Sequence, residues 1–498
     1  MTVASTSGPR TIRPAALDAR PILLVIGILL TTLGGAMALP ALYDAAAANP
    51  DWMVFLASAS ITGFFGITLT LMTWGSAGTL TLKQAFVLVP ASWLALVAFG
   101  AIPFAFSELE LSYTDAFFES MSGITTTGST VITGLDTAPP GILLWRSLLQ
   151  WLGGIGIIVM AVSILPMLQI GGMQMFKVEA FDTPEKVLPS AAALAGSITV
   201  VYVAFTFVTA IVLWLAGMTF FDAVNHAMTT IATGGYSTRD ASVDHYDSAL
   251  IHYIIVAGMI AGSLPFVLYI QAFRGKLTPL LMDRQVRVFL VVVGAATAMM
   301  ALYQASQGIG GSIEQQFRDA LFNVVSVLTG TGYATQNYSA WGPFALSVFL
   351  VLMFIGGCSG STSCGLKVFR VQIIAAQCLS HLRRLIYPHG VFVPHYNRRA
   401  IPESVSASVM SFFFLYIACF GGLAIALTFT GLSPLTAISS AATAIANVGP
   451  GLGTEVGPST NFSGIPDAAK WLMAAGMLIG RLELFTVLIL FSPVFWRS

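Results

Sequence analysis

The chain has 498 residues, of which 56% are hydrophobic and only 9% are charged, and its formal net charge is zero. Soluble domains carry about 25% charged residues, so the composition excludes an ordinary soluble protein and indicates an integral membrane protein. The four cysteines have no neighbouring histidines or carboxylates at ligand spacing. We therefore expect no structural metal centre and no cofactor in this chain, and we expect no nucleic-acid partner.

Ten apolar runs are long enough to cross about 30 Å of hydrocarbon at 1.5 Å per residue. They lie near residues 21–43, 52–73, 85–106, 142–168, 193–217, 249–272, 287–307, 343–378, 404–430 and 467–495. Most Lys and Arg residues fall on one side if these spans alternate. The positive-inside rule then places both termini and the large 367–402 loop in the cytoplasm.

The chain divides into a tail, a hairpin and four repeats. Residues 1–20 are predicted to form a polar cytoplasmic tail, and residues 21–83 a transmembrane hairpin. After the hairpin, a pattern of span, short amphipathic segment, glycine turn and span occurs four times, in predicted repeats over 84–190, 191–284, 285–402 and 403–498. Such a repeat decides the fold before any local motif does. The prediction is an all-α membrane protein with its repeats around a pseudo-fourfold axis.

Each repeat carries a short segment of small residues that ends in a glycine thirteen positions after the start of an Asp-Ala or Thr-Ala pair. These pairs begin at Asp115, Asp222, Asp319 and Thr436. Helix-capping residues stand just before them, at Ser112, Thr219, Ser312 and Ser433. We therefore expect four re-entrant pore helices. Non-helical backbone at membrane depth is tolerated inside protein or along water, so the turns are predicted to line a shared aqueous axis.

The glycine segments are typical of a selectivity filter for a cation. A dehydrated alkali ion needs several oxygen ligands, and backbone carbonyls provide them. Glycine permits the backbone angles that turn carbonyls inward. The predicted K⁺ ligands are the carbonyls of Thr126, Thr127, Gly128, Thr233, Gly234, Gly235, Gly330, Thr331, Gly332, Asn447, Val448 and Gly449. The alternative is that these are ordinary turns or close-packing sites of membrane helices.

The eighth predicted span contains a run of small and polar residues at 355–365 where a helix favours Leu and Ala. We expect the helix to break there and the loop to plug the path below the filter as a gate. The predicted gate residues are Gly356, Gly357, Cys358, Ser359, Gly360, Ser361 and Thr362, together with Arg481. Arg481 is a basic residue inside a span, so we expect it to have a role and a partner from another repeat. The alternatives are a small-residue helix contact and a structural salt bridge.

The chain resembles the Trk/Ktr/HKT superfamily of potassium transporters over nearly its whole length, and most closely the bacterial TrkH branch. Besides the filter segments, three motifs carry the resemblance: Gln150-Trp151-Leu152-Gly153-Gly154-Ile155-Gly156, Gly356-Gly357-Cys358-Ser359-Gly360-Ser361-Thr362 and Gly480-Arg481-Leu482-Glu483. The resemblance implies a homodimer and a cytoplasmic TrkA-like nucleotide-binding ring that opens the pore. It also implies that Arg481 holds the loop closed. Ser363-Cys364 departs from the glycines more often found in the related proteins.

We therefore predict a potassium uptake subunit of the bacterial cytoplasmic (inner) membrane and not an enzyme. K⁺ is the transported ion, and the basic 367–402 loop is predicted to contact membrane lipid or the regulatory ring. Passage of Na⁺ and coupled symport with H⁺ or Na⁺ remain open alternatives. A membrane-embedded enzyme is a remote one, because only isolated Cys, His and Glu residues occur within the spans.

Overall fold

The computed structural model describes residues 17–76, 80–163, 191–397 and 399–497. Almost all of the predicted cytoplasmic tail, and the stretch 164–190 that ends the first predicted repeat, lie outside these residues. The described part of the chain is almost entirely helical. Its only strands are the two-residue segments β1 (His395–Tyr396) and β2 (Arg399–Ala400), which pair antiparallel.

The N-terminal hairpin consists of two helical arms that pack through small residues. Its helices are α1 (Arg20–Ala36), α2 (Ala38–Ala46) and α3 (Trp52–Met72). Gly27 of α1 lies against Thr70 of α3, and Gly66 of α3 lies against Thr31 of α1. Small side chains let membrane helices approach closely, so the sequence of the hairpin favours a tight pair.

The first two predicted repeats hold helices α4 to α12. Their bounds are Leu82–Gly100 (α4), Ile102–Phe106 (α5), Tyr113–Ile124 (α6), Pro140–Ser163 (α7), Ala191–Leu215 (α8), Phe220–Ile231 (α9), Ala249–Ser263 (α10), Phe266–Phe273 (α11) and Thr278–Met282 (α12). Short 3₁₀ turns at Leu135–Thr137 and Ser242–His245 follow the glycine segments of these repeats.

The third and fourth predicted repeats hold helices α13 to α21. Their bounds are Arg284–Gln307 (α13), Ile313–Thr329 (α14), Pro343–Phe354 (α15), Val368–Ile386 (α16), Glu403–Phe429 (α17), Pro434–Ala446 (α18), Asp467–Arg481 (α19), Phe485–Leu488 (α20) and Pro493–Arg497 (α21). Further 3₁₀ turns lie at Tyr338–Trp341 and Ile489–Phe491.

Within the described residues, seven helical stretches are long and apolar enough to cross a membrane, and up to nine if each sharply bent pair is one span. The bent pairs are α10 with α11, at 99°, and α19 with the 485–491 segment, at 110°. The predicted span 343–378 is not one helix, because α15 ends at Phe354 and α16 begins at Val368. The ten-span arrangement therefore stays a prediction. The break falls on the Gly- and Ser-rich run, whose residues are poor helix formers.

The short helices α6, α9, α14 and α18 begin where the sequence predicts. Each is preceded by a Ser or Thr whose hydroxyl oxygen accepts the backbone N–H three residues later. The capping residues are Ser112, Thr219, Ser312 and Ser433. With 12, 12, 17 and 13 residues, the four helices are shorter than the roughly 20 residues that a span needs. Each ends directly at its glycine segment.

Candidate functional site

The four glycine segments meet one another in cyclic order. A methyl group on the glycine that ends each segment would collide with, or press against, the backbone of an adjacent segment. The neighbouring pairs are Gly128 with Gly234, Gly235 with Thr331, Gly332 with Gly449, and Gly449 with Gly128. The contacts run from the first repeat to the second, third and fourth and back to the first. The segments therefore surround a common centre, and a side chain has no room at these glycines.

The backbone repeats an unusual conformation at the same register in all four segments. Two positions before each final glycine the angle φ is positive: 51° at Thr126, 50° at Thr233, 74° at Gly330 and 52° at Asn447. This left-handed region is rare for a β-branched residue. Strain of this kind persists only where the surrounding structure imposes it, and it clusters at functional sites. Glycine adopts this conformation freely, so the threonines at positions 126 and 233 are unusual.

The fourth segment departs from the other three at its final glycine. Gly128, Gly235 and Gly332 have φ of 89°, 79° and 86°, whereas Gly449 is not among the residues of positive φ in the described chain. Pro450 follows Gly449, and a residue before proline is pushed toward extended backbone. The symmetry of the site is therefore approximate.

Side chains from neighbouring elements hold the segments in place. Gln150 of α7 donates its Nε2 to the carbonyl of Gly234 at 2.7 Å and accepts the N–H of Tyr236 at 3.0 Å. Asn447 donates its Nδ2 to Thr127 Oγ1 and to the carbonyl of Met477, each at 2.9 Å. The second and fourth segments are thus fixed to helices outside their own re-entrant turns.

Two of the carbonyls that the sequence assigns to the ion already accept hydrogen bonds. Gly234 accepts from Gln150, and Gly449 accepts from the hydroxyl of Ser129 at 2.7 Å. A carbonyl has two lone pairs, so each retains one acceptor site. Gln150 is the first residue of the 150–156 motif, but its contact with Gly234 was not predicted from the sequence.

A buried ion pair stands behind the first and second segments. Arg146 of α7 donates its Nε to Glu119 of α6 at 2.8 Å, and both side chains are at most 1% exposed. Its NH1 donates to the carbonyl of Ser237 at 2.9 Å, and its guanidinium lies 4.1 Å from the ring centre of Tyr236. Glu119 also accepts the N–H of Val131 at 3.0 Å. The pair lies within the first predicted repeat, and the bond from Arg146 to Ser237 ties it to the second.

Further contacts link the repeats, one between two helices and one between the chain segments that follow the glycine segments. Lys470 of α19 pairs with Asp115 of α6 at 2.6 Å, which joins the fourth repeat to the first. Asp244, in a loop outside the spans, donates its backbone N–H to the carbonyl of Ala334 at 3.2 Å. Burial is the largest cause that raises the pKa of the Asp244 carboxyl above its ordinary value.

The helix ends add an electrostatic contribution. The C-termini of α6, α9, α14 and α18 point at the segments, because each helix ends one residue or less before its segment begins. The C-terminal end of a helix carries a partial negative charge of about half an elementary charge. The centre of the site therefore favours a cation.

The irregular segment between α15 and α16 lies directly against the start of three of these segments. Thr362 Oγ1 accepts a hydrogen bond from Thr233 Oγ1 at 3.2 Å, Ser363 Oγ donates to the carbonyl of Thr329 at 2.7 Å, and Cys364 Sγ lies 3.6 Å from Thr126 Oγ1. The residues of the predicted loop 355–365 are buried, except for Ile355, Gly360 and Gly365, which are half-buried. The loop thus lies against three of the four segments.

The loop takes its backbone hydrogen bonds from the bend between α10 and α11. Cys358 N–H donates to Ser263 at 3.0 Å, Thr362 N–H donates to Gly262 at 3.1 Å, and Phe266 N–H donates to Gly360 at 3.0 Å. A helix end leaves carbonyls and N–H groups unpaired, and here the loop supplies their partners. The broken span and the bent span therefore depend on each other.

Arg481 reaches this loop from the fourth repeat. Its NH1 donates to the carbonyl of Thr362 at 3.2 Å and contacts Cys364 Sγ. The side chain is 4% exposed, and its Nε and NH2 have no hydrogen-bond partner. Among the residues that the structure describes, no carboxylate forms an ion pair with it. Arg481 thus contacts Thr362 and Cys364 of the third predicted repeat, and within the described residues it forms no salt bridge.

The nearest carboxylate in sequence has a different partner. Glu483 accepts from Arg370 NH2 of α16 at 2.5 Å, and the Arg370 guanidinium lies 3.9 Å from the ring centre of Phe412. Glu483 has a positive φ of 60°, which turns it away from the helical direction of α19. Arg370 and Glu483 therefore join α16, near the end of the third predicted repeat, to the fourth predicted repeat.

Comparison with known proteins places the chain among transporters. The model of the TrkH family, described as a cation transport protein, matches residues 53–498. The chain is 43% identical to the Trk system potassium uptake protein TrkI of Halomonas elongata, over 96% of this chain and 97% of that protein. It is 37% identical to the Trk system potassium uptake protein TrkH of Escherichia coli, over 96% and 99%.

A solved structure gives the same result. The crystal structure of the potassium transporter TrkH from Vibrio parahaemolyticus matches with a TM-score of 0.90 and 36% identity, over 97% of this chain and 100% of that one. The predicted resemblance to the TrkH branch is confirmed. The relatives are named as transport proteins and not as enzymes, which also confirms the prediction that this chain is no enzyme.

Proposed function

The chain belongs to the TrkH family of cation transport proteins, and from that premise we propose that it takes up potassium across the cytoplasmic membrane of a bacterium. The observation that carries the proposal is the cyclic meeting of four glycine segments that share a left-handed residue at one register. Such a ring presents main-chain oxygens from four sides to one centre. Its relatives are named potassium uptake proteins.

In the proposed mechanism, K⁺ sheds water at the ring and binds carbonyl oxygens of the four segments. Carbonyl dipoles stabilise the ion without the tight binding of a carboxylate ring, so the ion can leave. The negative ends of the four short helices add to this stabilisation. Gly234 and Gly449 contribute less than the sequence suggests, because each carbonyl already accepts a side-chain hydrogen bond.

The 355–365 loop is the proposed gate. Its contacts with Thr126, Thr233 and Thr329 support this role, because in the proposal a loop held there lies across the inner side of the ring. Arg481 holds it through Thr362 and adds a positive charge that repels a cation leaving the ring. Opening requires the loop to break these hydrogen bonds and move aside.

The driving force for uptake is the membrane potential, which favours cation entry by about 2.3 kcal/mol per charge per 100 mV. In this proposal the chain works as a homodimer with both termini in the cytoplasm, and a TrkA-like nucleotide-binding ring controls it. In this proposal the basic surface of α16 faces the nucleotide-binding ring and the lipid headgroups. Arg383 and Arg384 lie in the last turn of this helix. The predicted division into hairpin and four repeats remains part of the proposal.

Rescue of growth tests the proposed function. A bacterium that lacks potassium uptake is given this chain, with and without a ring subunit, and its growth is measured at low external K⁺. We expect growth to return, and to depend on the ring if regulation is as proposed. Growth restored by added Na⁺ alone, or K⁺ uptake that requires a gradient of H⁺ or Na⁺ at fixed membrane potential, would favour the Na⁺ or symport alternatives.

A further inference from the structure

Cys364 lies at a point where the gate loop, the ring and Arg481 meet. Its sulfur contacts Arg481 NH1 and lies 3.6 Å from Thr126 Oγ1. The residue is 6% exposed and borders a cavity of about 40 Å³ that Lys367, Arg481 and Glu483 also line. About 10–15 Å³ of such space holds one water molecule, so a reagent of that size fits beside the sulfur.

The surroundings of this thiol are positively charged. Arg481 and Lys367, which donates to the carbonyl of Ser363, have no carboxylate partner within the described chain. Glu483, the one acidic residue among those described as lining the cavity, is paired with Arg370 at 2.5 Å. Reactive cysteines sit in electropositive surroundings that stabilise the thiolate, which is the nucleophile.

The second observation is the unmet hydrogen-bonding capacity of Arg481. Its Nε and NH2 are buried and have no acceptor, although its NH1 already reaches the sulfur. A buried donor without a partner is costly, so an acceptor added beside it gains stability. An oxygen atom bonded to the Cys364 sulfur would lie at this guanidinium.

We propose that Cys364 is a modification site for hydroperoxides, and that its oxidised form latches the gate closed through Arg481. The inference rests on the proposed gate function of the loop. The thiolate sulfur attacks one peroxide oxygen, an S–O bond forms and the O–O bond breaks. The other oxygen takes up the proton that the thiol released when it became a thiolate, and it leaves as water or an alcohol. Sulfur loses two electrons to the peroxide, and the product is a sulfenic acid.

A low-molecular-weight thiol reverses the modification. It attacks the sulfenic sulfur to give a mixed disulfide and water, and a second thiol then releases Cys364. While the oxygen is present, its charge-assisted bond to Arg481 ties the third repeat to the fourth. Uptake is therefore expected to fall about tenfold, the equilibrium factor of one such bond.

The test uses the full-length protein together with a TrkA-like ring subunit in proteoliposomes that are treated with hydrogen peroxide. Potassium flux is measured before and after treatment and again after a dithiol reductant, while a sulfenic-acid probe and mass spectrometry locate the modified cysteine. We expect labelling at Cys364, a reversible loss of flux, and no loss in Cys364→Ser. The matched control replaces Cys378 and Cys419 by Ser together, and it should keep its sensitivity.

Several results overturn the inference while leaving potassium uptake itself intact. They are unlabelled Cys364 in the treated wild-type protein, labelling with unchanged flux, and equal sensitivity of the wild type and Cys364→Ser. Absence of potassium flux in the untreated protein would instead refute the proposed function. Because the wild-type labelling needs no variant, the test survives a substitution that fails to fold.

Discussion

Two buried arginines flank the ring of glycine segments, and their surroundings differ sharply. Arg146 is paired with Glu119 at 2.8 Å, donates to Ser237 and lies over Tyr236. Arg481 is nearly as buried, yet it meets only a backbone carbonyl and a thiol, and two of its nitrogens have no partner. Among the described residues, the same residue type thus has a carboxylate partner on one side of the ring and none on the other.

The contrast indicates which part of the molecule is fixed and which part moves. A buried charge with complete hydrogen bonding holds its neighbours in one arrangement, since any displacement leaves a charge unpaired. A buried charge with few bonds has little to lose when its neighbour moves away. We therefore expect the region of Arg146 to be the rigid scaffold of the ring and the region of Arg481 to be the movable one.

Removal of Arg146 gives the largest expected effect. In Arg146→Met the carboxylate of Glu119 stays buried without its cation, and breaking such a pair costs about 3–5 kcal/mol of stability. We expect a marked fall in the thermal unfolding temperature of the detergent-solubilised protein. The matched control is Arg318→Met, whose partly exposed partner Glu314 lies 3.7 Å away in the same helix.

The Arg318 control should change stability by less than about 1 kcal/mol, because exposed pairs contribute little. Equal effects of the two substitutions would contradict the view that the pair behind the ring is a scaffold.

Replacement of Arg481 should act on the closed state more than on stability. In Arg481→Met the loop loses its bond from the fourth repeat, and the inner side of the ring loses a positive charge. We expect the potassium leak of the closed protein in liposomes to rise about tenfold, the factor of one charge-assisted bond of about 1.4 kcal/mol. The unfolding temperature should fall much less than in Arg146→Met.

If the closed-state leak of Arg481→Met equalled that of the wild type, and stability fell as far as in the Arg146 variant, the two arginines would have the same role. The comparison would then fail.

Loss of Gln150 should loosen selectivity on the scaffold side. Gln150→Leu removes the 2.7 Å bond to Gly234 and the 3.0 Å bond from Tyr236. Since one such bond contributes about 1 kcal/mol net, we expect the permeability ratio of Na⁺ to K⁺ to rise about fivefold. Reversal potentials in planar bilayers measure it.

The control for this variant is Gln84→Leu, which removes a buried glutamine from the capping box of α4. It should lower stability and leave the permeability ratio unchanged. An altered ratio in the Gln84 variant, or an unaltered one in Gln150→Leu, would remove Gln150 from the scaffold of the ring.

The smallest expected effect is a gain. Thr126 has φ of 51°, and glycine adopts this conformation freely, so Thr126→Gly should stabilise the protein by up to about 1 kcal/mol. Thermal unfolding measures the gain. In the control Thr199→Gly, the same replacement in the regular helix α8 should cost about 0.3 kcal/mol, because glycine is a poorer helix former than threonine. A loss of stability at both positions would show that Thr126 is not strained.

Much of the scaffold was predictable because it depends on local chemistry. The caps Ser112, Thr219, Ser312 and Ser433 mark the helix starts through hydrogen bonds to the next turn, and such bonds need only nearby residues. The helix break after Phe354 follows from the Gly- and Ser-rich run. The supports of the ring, in contrast, include Gln150 and Glu119. Each is distant in sequence from its partner, Gly234 or Arg146, and no local sequence pattern predicts either contact.

The sequence by itself determined that the chain lies in a membrane, that it repeats fourfold, and where each short helix starts and each glycine turn falls. Composition and short-range hydrogen bonding decide these features. Only the tertiary structure decided that Arg146 has a carboxylate partner, that Arg481 has none among the described residues, and that Cys364 contacts both Arg481 and Thr126. The reason is that a buried charge is stabilised by whatever surrounds it in space, and these neighbours are distant in sequence.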